Sequence, residues 1–281
     1  MTDSLRRGIA GDYRVAIATT TDLAREAAIR HLLPGTAAIA MARALTGLAL
    51  AAITDKEWRR FSAQWMGRGP FGSLHVDLQR PGNLRGYLTG DGVAGEVADG
   101  FGRGGLLSVI RQQHDGRFVQ GQVALSARTV DEDLERYLEQ SEQVASTLRV
   151  LVALEDGMPT AVTGVLIQPL PGGSAAGLRE LVGTDLLDRR AAASLAPDAL
   201  LDAVAPDLPA VDWLLEVPLR WACPCSRERI ASGIRLLGRE DLDDMVAKQE
   251  GTEVRCDFCA DEYVFTPDDI RGIREALDRA D

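Results

Sequence analysis

All four cysteines of this 281-residue chain lie in two short pairs near its end, Cys223-Pro-Cys225 and Cys256-Asp-Phe-Cys259. They fall in a segment of roughly 60 residues, from Trp221 onward, and a segment that small cannot bury enough surface for a secure core. It needs a further closure, and four thiolates around one metal ion provide it; four cysteines are a common structural zinc set. C-x-x-C at a tight turn brings two sulfurs within reach of one ion. In C-x-C the two cysteines lie apart along an extended chain, so a bend is needed, which Pro224 supplies. One zinc ion on Cys223, Cys225, Cys256 and Cys259 is therefore the expected cofactor. Binding free energy in such units is folding free energy, about 10–16 kcal/mol in small zinc domains. The same thiolates are the species that oxidants attack. From spacing alone, a passive structural site is the commoner outcome.

Composition narrows the partners. A net charge of −11 opposes non-specific binding to nucleic acid or an anionic membrane. The start, MTDSLRRGIA, has no apolar signal region, so a cytoplasmic, reducing location is expected, where structural disulfides are rare. The most apolar stretch, Thr36–Ile53, contains Arg43 and is short for a membrane span; it reads as a buried core helix. His31, His75 and His114 lie far from the cysteines in sequence and are given no role.

The expected class is α+β: a mixed N-terminal core with a largely antiparallel sheet over residues 1–172, a helical linker over 173–220, and a small α+β zinc-binding module over 221–281. In the core, Tyr13–Ala18, Arg60–Trp65, Ser73–Gln79, Leu84–Thr89, Leu106–Arg111 and Phe118–Leu125 read as strands. Arg149–Leu154 and Thr160–Leu170 form a hairpin around Asp156-Gly157. Thr21 or Asp22 is positioned to cap a first helix, and Pro34 opens a second. Thr129-Val-Asp-Glu132 is a capping box, with Leu134, Tyr137 and Leu138 on one face of the helix that follows. Glu132, Asp133 and Glu135 read as its solvated face. Residues 174–220 are rich in Leu, Ala and Asp, with Pro197, Pro206, Pro209 and Pro218 limiting helix length. Leu178, Leu181, Val182 and Leu186, then Leu200 and Val204, suggest short amphipathic helices that must dock to be stable. In the module, helices are expected from Ser226 and over Asp241–Lys248, the latter ended by Gly251. A hairpin over Val254–Phe265 carries Cys256 and Cys259 at its tip, and a terminal helix covers Asp268–Ala280. Arg227, Arg229 and Arg255 are candidates to offset the cluster's charge.

Three other functions compete. A thiol–disulfide oxidoreductase uses C-x-x-C, but at the start of a helix after a strand rather than in a hairpin. A nucleotide enzyme is prompted by Gly100-Phe-Gly102-Arg-Gly104-Gly105, which lacks the G-x-G-x-x-G spacing and reads as tight turns. Arg59-Arg60 and Arg189-Arg190 are isolated pairs rather than a nucleic-acid stripe. A passive structural zinc protein would bind the metal and do nothing on oxidation.

The chain resembles the redox-regulated heat-shock chaperones of thirty-three kilodaltons, the bacterial ATP-independent holdases. The resemblance rests on Cys223-Pro-Cys225-Ser-Arg-Glu-Arg229, the Leu-Leu-Gly238 that follows, and Val254-Arg-Cys256-Asp-Phe-Cys259-Ala-Asp-Glu-Tyr-Val-Phe265. It extends to Gly104-Gly105-Leu-Leu-Ser-Val, Tyr137-Leu-Glu-Gln-Ser-Glu142 and Gln168-Pro-Leu-Pro-Gly172. The family often has a lysine where Arg103 stands. The resemblance implies a non-enzymatic chaperone, zinc-bound and inactive when reduced. Oxidation would pair Cys223 with Cys225 and Cys256 with Cys259 and release the metal. The module and linker would then unfold and expose apolar surface to unfolded or partly folded clients. It also implies a homodimer in the oxidised state and a monomer in the reduced one.

Overall fold

The computed structural model describes residues 2–54, 58–90, 97–102, 104–126, 129–182 and 196–278. The chain divides into two compact units, Met1–Ala222 and Cys223–Asp281, and the class is α+β.

In the first unit, β1 (Ser4–Ala10) and β2 (Tyr13–Thr19) form an antiparallel hairpin. Its turn holds Gly11 at a left-handed φ of +55°. The sequence reading missed β1, because Ser-Leu-Arg-Arg-Gly-Ile-Ala lacks a clean two-residue alternation. Helix α1 (Thr21–Arg30) follows, then α2 (Gly35–Ala51) opened by Pro34. The cap of α1 differs from expectation. Thr20 precedes the helix without a side-chain cap bond, and the buried Asp3 carboxylate accepts from Asp22 N at 3.1 Å and Leu23 N at 2.6 Å. A carboxylate there satisfies free amides and complements the helix dipole.

Helix α2 is apolar on nearly every side, and such a helix has to be enclosed. Two sheets enclose it. One is six-stranded, with β3 (Trp58–Met66), β4 (Ser73–Gln79), β5 (Asn83–Leu88), β6 (Leu106–Gln113), β7 (Phe118–Ala124) and β11 (Arg220–Trp221), in the order β11-β5-β4-β3-β6-β7. The other is five-stranded, with β8 (Thr147–Glu155), β9 (Met158–Pro169) and β10 (Asp212–Pro218), in the order β10-β1-β2-β9-β8. All pairings are antiparallel except β11 with β5. α2 packs on β2, β8 and β9 of one sheet and on β3, β4 and β5 of the other. The approach is close: a Cβ on Gly164 of β9 would lie 2.8 Å from Thr46 Cγ2 and 2.9 Å from Leu50 Cδ1. The inward alternation of Phe61, Ala63, Trp65 and of Leu74, Val76, Leu78 is as read from sequence.

Helix α3 (Val97–Phe101) is short. Near it, Gly102 and Gly104 adopt left-handed φ values of +69° and +74°, which accounts for the glycine-rich stretch as turns; Arg103 lies outside the described residues.

Helix α4 (Val130–Gln140) begins with Thr129 Oγ1 accepting from Glu132 N, and Leu134, Tyr137 and Leu138 are buried. Its acidic run is not the solvated face expected. Asp133 is 4% exposed and accepts from Ser126 N at 2.6 Å. Glu135 accepts from Leu148 N at 2.6 Å and pairs with Arg149. Asp131, also 4% exposed, takes Val150 N at 3.0 Å and Arg43 Nη1 at 3.2 Å. The cause lies in β8, an edge strand whose outward N–H groups at Leu148 and Val150 must find acceptors. The same geometry explains Arg43 on the apolar helix α2.

The 174–220 stretch holds α5 (Ala175–Leu181) and α6 (Pro197–Val204). It also holds β10, where the expectation was helical throughout. Prolines 209 and 218 leave Asp212–Val217 too short for a helix, and its β-favouring residues pair with β1 instead. Leu178, Leu200, Leu201 and Val204 are buried on the second face of the five-stranded sheet, over Val15, Ile17, Val165 and Ile167. Arg6 of β1 pins α6 and β10, 2.7 Å from Asp198 and 4.5 Å over the Trp213 ring. Leu186, Arg189 and Arg190 lie outside the described residues.

The second unit contains α7 (Arg227–Ile234), a 3-10 turn at Arg235–Leu237, α8 (Arg239–Lys248), β12 (Thr252–Arg255), β13 (Glu262–Phe265) and α9 (Pro267–Asp278). Ile234, Leu242, Phe265, Ile270 and Ile273 form its core. Helix α8 ends at Gln249, left-handed at φ +57°, rather than at Gly251. Gly251 instead lets the chain pass against the Phe265 carbonyl, which a Cβ would strike.

Candidate metal centre

Two loops of the second unit carry the cysteines. Cys223-Pro-Cys225 lies in the loop that runs into α7, whose cap is Ser226: its Oγ accepts from Arg229 N at 3.3 Å. Cys256 and Cys259 sit in the turn joining β12 to β13, as the hairpin reading placed them. There Ala260 N donates to Cys256 O at 2.8 Å and Cys256 N to Asp261 O at 2.9 Å, with Ala260 left-handed at φ +59°.

The fold brings all four sulfurs together. Each lies within 4.8 Å of the others; Cys223 and Cys256 are 3.8 Å apart and Cys225 and Cys259 3.1 Å. None is bonded to another, so all four are free thiols. A zinc–sulfur bond of about 2.3 Å puts the edge of a tetrahedron at about 3.8 Å, so this donor set fits a zinc-sized ion by both spacing and softness.

Electrostatics say what such an ion must overcome. Burial pushes the Cys256 and Cys259 thiols up, Cys259 the further, with neighbouring sulfurs adding to the effect at Cys259. Backbone amides of Phe258 and Cys259 aimed at Cys256, and of Asp261 aimed at Cys259, act in the opposite direction. Those amides are ready-made donors to thiolates, whereas without a cation the thiols keep their protons. Metal binding therefore releases protons. Sequence reasoning missed Tyr263, whose hydroxyl donates to Cys225 Sγ at 3.1 Å; that bond holds the phenol proton and raises its pKa. Its one signal was position: Tyr263 faces the cluster from β13, two residues before the core residue Phe265. Arg227, expected near the sulfurs, donates to Val264 O at 2.7 Å, pairs with Asp269 at 2.9 Å and covers the Phe265 ring at 4.3 Å. It braces the hairpin on α9. Arg255 Nε donates to Ala260 O at 3.3 Å, which supports the turn that carries Cys256 and Cys259. The three histidines fall in the first unit, where His75 bonds Gln64 and Ser73 and stacks on Tyr87 at 4.5 Å.

A family model described as Hsp33 protein matches residues 3–266. The chain belongs to the Hsp33 family. Among relatives, the 33 kDa chaperonin of Listeria monocytogenes is 30% identical, covering 98% of this chain and 99% of its own length. That of Thermus thermophilus is 34% identical over 95% and 85% respectively. The crystal structure of the 33 kDa chaperonin from Thermotoga maritima superposes with a TM-score of 0.87 over 100% of both chains at 22% identity, a likeness of fold. Membership of the Hsp33 family and the four clustered cysteines both fit a chaperone. No helix among the described residues is long and apolar enough to cross a membrane.

Proposed function

We propose that this chain is a redox-regulated, ATP-independent holdase that binds unfolding proteins under oxidative stress. The observation that carries the reading is a four-sulfur cluster in a unit whose apolar core, among the described residues, has five buried side chains. In the reduced state Cys223, Cys225, Cys256 and Cys259 hold one zinc ion, which supplies folding free energy and keeps the thiolates charged. Oxidation removes two electrons from each thiolate pair, joining Cys223 to Cys225 and Cys256 to Cys259 and releasing the zinc ion, while two equivalents of hydrogen peroxide take up the four electrons and four protons from solvent to give four waters. Disulfide sulfurs are no longer the ligands that closed the unit, so it unfolds.

The chain before Cys223 supports the next step. Strands β11 and β10 directly precede it, and α6 and α5 lie before them along the sheet face formed by Val15, Ile17, Val165 and Ile167. The strap runs on in sequence into the cysteine unit through the two-residue β11, and on this reading its release follows the unfolding of that unit. Lifting it uncovers an apolar sheet face of the kind that holds unfolded chains. The active species is a homodimer and the reduced one a monomer. The protein works in the cytoplasm, where reduction restores the metal site, and it catalyses no reaction. The division of labour follows: residues 1–172 bind clients and dimerise, 173–220 form the strap, and 221–281 are the switch.

The test is light scattering from a chemically unfolded client diluted into buffer. The reduced, zinc-loaded chain should leave aggregation unchanged, and the peroxide-treated chain should suppress it without ATP. Equal scattering from both forms would leave a passive zinc protein.

A further inference from the structure

The six-stranded sheet ends at β7, and that edge differs from the other sheet edges among the described residues. The β8 edge is occupied by Asp131 and Glu135, which take its outward amides. The β10 edge carries Asp212, Glu216 and Pro218, and β11 is two residues long. Charges, proline and shortness are the usual guards against edge-to-edge pairing. β7, Phe-Val-Gln-Gly-Gln-Val-Ala, has none of them. It is uncharged in a chain of net charge −11, and Phe118 is 68% exposed.

The sequence of this edge is also palindromic: Val119-Gln120-Gly121-Gln122-Val123 reads the same in both directions. A two-fold contact requires self-complementarity, and an antiparallel pair centred on Gly121 sets Gln120 opposite Gln122 of the second copy and Val119 opposite Val123. The backbone has the matching phase. Gln113 N donates to Arg117 O at 2.8 Å and Leu125 N to Gly105 O at 3.0 Å. Hydrogen-bonded pairs alternate along an antiparallel ladder. Residues 117, 119, 121, 123 and 125 therefore face β6, and Phe118, Gln120, Gln122 and Ala124 turn their N–H and C=O groups to the open edge. Pairing about Gly121 joins those outward residues to one another, Gln120 with Gln122 and Phe118 with Ala124. Gln120 Nε2 donates to Ser108 Oγ at 2.9 Å, which leaves its second N–H and its carbonyl oxygen for Gln122 of the second copy.

We infer that β7 pairs with β7 of a second copy about a two-fold axis at Gly121, making one continuous sheet across the dimer. This rests on the dimer in the proposed function and says where it forms. Edge pairing of seven-residue strands falls short of the area of a stable interface, about 1,200–2,000 Å², so the dimer should dissociate on dilution.

The experiment is sedimentation velocity of the full chain, reduced with zinc and peroxide-oxidised, over a concentration series, with circular dichroism to confirm folding. Gln120→Lys with Gln122→Lys sets lysine against lysine twice across the axis and should raise the dimer dissociation constant about tenfold or more. Gln120→Lys with Gln122→Glu sets lysine against glutamate twice and should dimerise at least as well as wild type. Dimerisation of the double lysine variant at wild-type strength would overturn the inference, as would a monomeric lysine–glutamate variant or a wild type that never dimerises. A double lysine variant that dimerises normally but no longer holds clients would overturn it too, and assign the edge to client strands. Scattering assays on the same samples are independent. If wild type holds no client while the charge variants behave as expected, the holdase reading fails and the contact stands.

Discussion

Stripping the metal from the reduced chain should unfold Cys223–Asp281 and leave the two sheets around α2 folded. Small domains carry about 0.05–0.15 kcal/mol of stability per residue, or about 3–9 kcal/mol for a unit of roughly 60 residues. Structural zinc contributes about 10–16 kcal/mol in such units. The metal term exceeds the whole, so the metal-free unit is unstable by several kcal/mol and unfolded in most molecules. The two-sheet frame of the first unit does not depend on the cluster: α2 is enclosed by both sheets, with Leu45, Leu48 and Leu50 all fully buried. Hydrogen exchange with and without a strong chelator, under reducing conditions, separates the two. Amides of α7 and α8 should lose protection to the level of an unfolded chain, while those of α2 and β3 should keep theirs. Because burial raises Cys256 and Cys259, protons compete with the metal, and less chelator should be needed as pH falls. Unchanged protection over α7 and α8 in metal-free protein would refute the reasoning, since the unit would then be stable on its own core.

Three further outcomes follow from named side chains. Leu200→Asp, at a site 2% exposed under α6, buries a charge against the sheet and should cost about 3–5 kcal/mol of docking; client binding by the reduced protein in the scattering assay should rise, and an unchanged reduced form would count against the strap. Asp131→Ala leaves Arg43 charged and unpaired in the core and Val150 N without its acceptor, so chemical denaturation of the first unit should show a loss of about 3–5 kcal/mol. Asp133 is raised from 3.8 to about 6, chiefly by burial, so the folded state holds this proton more tightly than the unfolded chain does. Its contribution to stability is present below about pH 4 and is lost as pH rises through about 6, a span worth about 3 kcal/mol. Asp133→Asn keeps an acceptor for Ser126 N, and in denaturant titrations it should flatten that pH dependence and stabilise the protein at pH 7.5.

What could be read in the sequence was what depends on neighbours along the chain. The strands of the six-stranded sheet show in two-residue alternation, the Asp156-Gly157 turn in its residue pair, the α4 cap in Thr129 and Glu132, and the cysteine hairpin in C-x-x-C. The misses share another cause: they were decided by partners far away in sequence. β1 carries no alternation of its own, and β2 on one side and β10 on the other hold it in place. Asp212–Pro218 is a strand because β1 offers an edge. Asp131, Asp133 and Glu135 look like a solvated helix face in isolation, yet they are the acceptors that β8 and the chain before α4 require. The cap of α1 comes from Asp3, a residue no local pattern links to it. At the metal centre the four ligand candidates were legible because ligand spacing is local within each pair, while Tyr263 was not, since its approach to Cys225 depends on how the hairpin lies on the preceding loop.

The buried charges and the thiol cluster divide stability between the two units in a way that suits a switch. In the first unit, several enclosed charged groups are paired with protein partners that oxidation does not touch: Arg43 Nη1 with Asp131, Asp3 with two helix amides, Glu142 with Arg111 and Tyr137. In the second unit the corresponding groups are four sulfurs, and on the proposed reading what would satisfy them is a metal ion that only their thiolate form retains. An oxidant therefore acts on one unit through chemistry the other does not have. Unfolding a unit with so small a core costs little apolar burial, whereas the sheet face over Val15, Ile17, Val165 and Ile167 belongs to the unit that stays folded. A holdase needs a preformed apolar surface on a stable frame, together with a cover whose retention depends on something an oxidant removes. On the proposed reading, α2 and its two sheets would be the frame, α5 and α6 the cover, and the cysteines that follow β11 the oxidant-sensitive element.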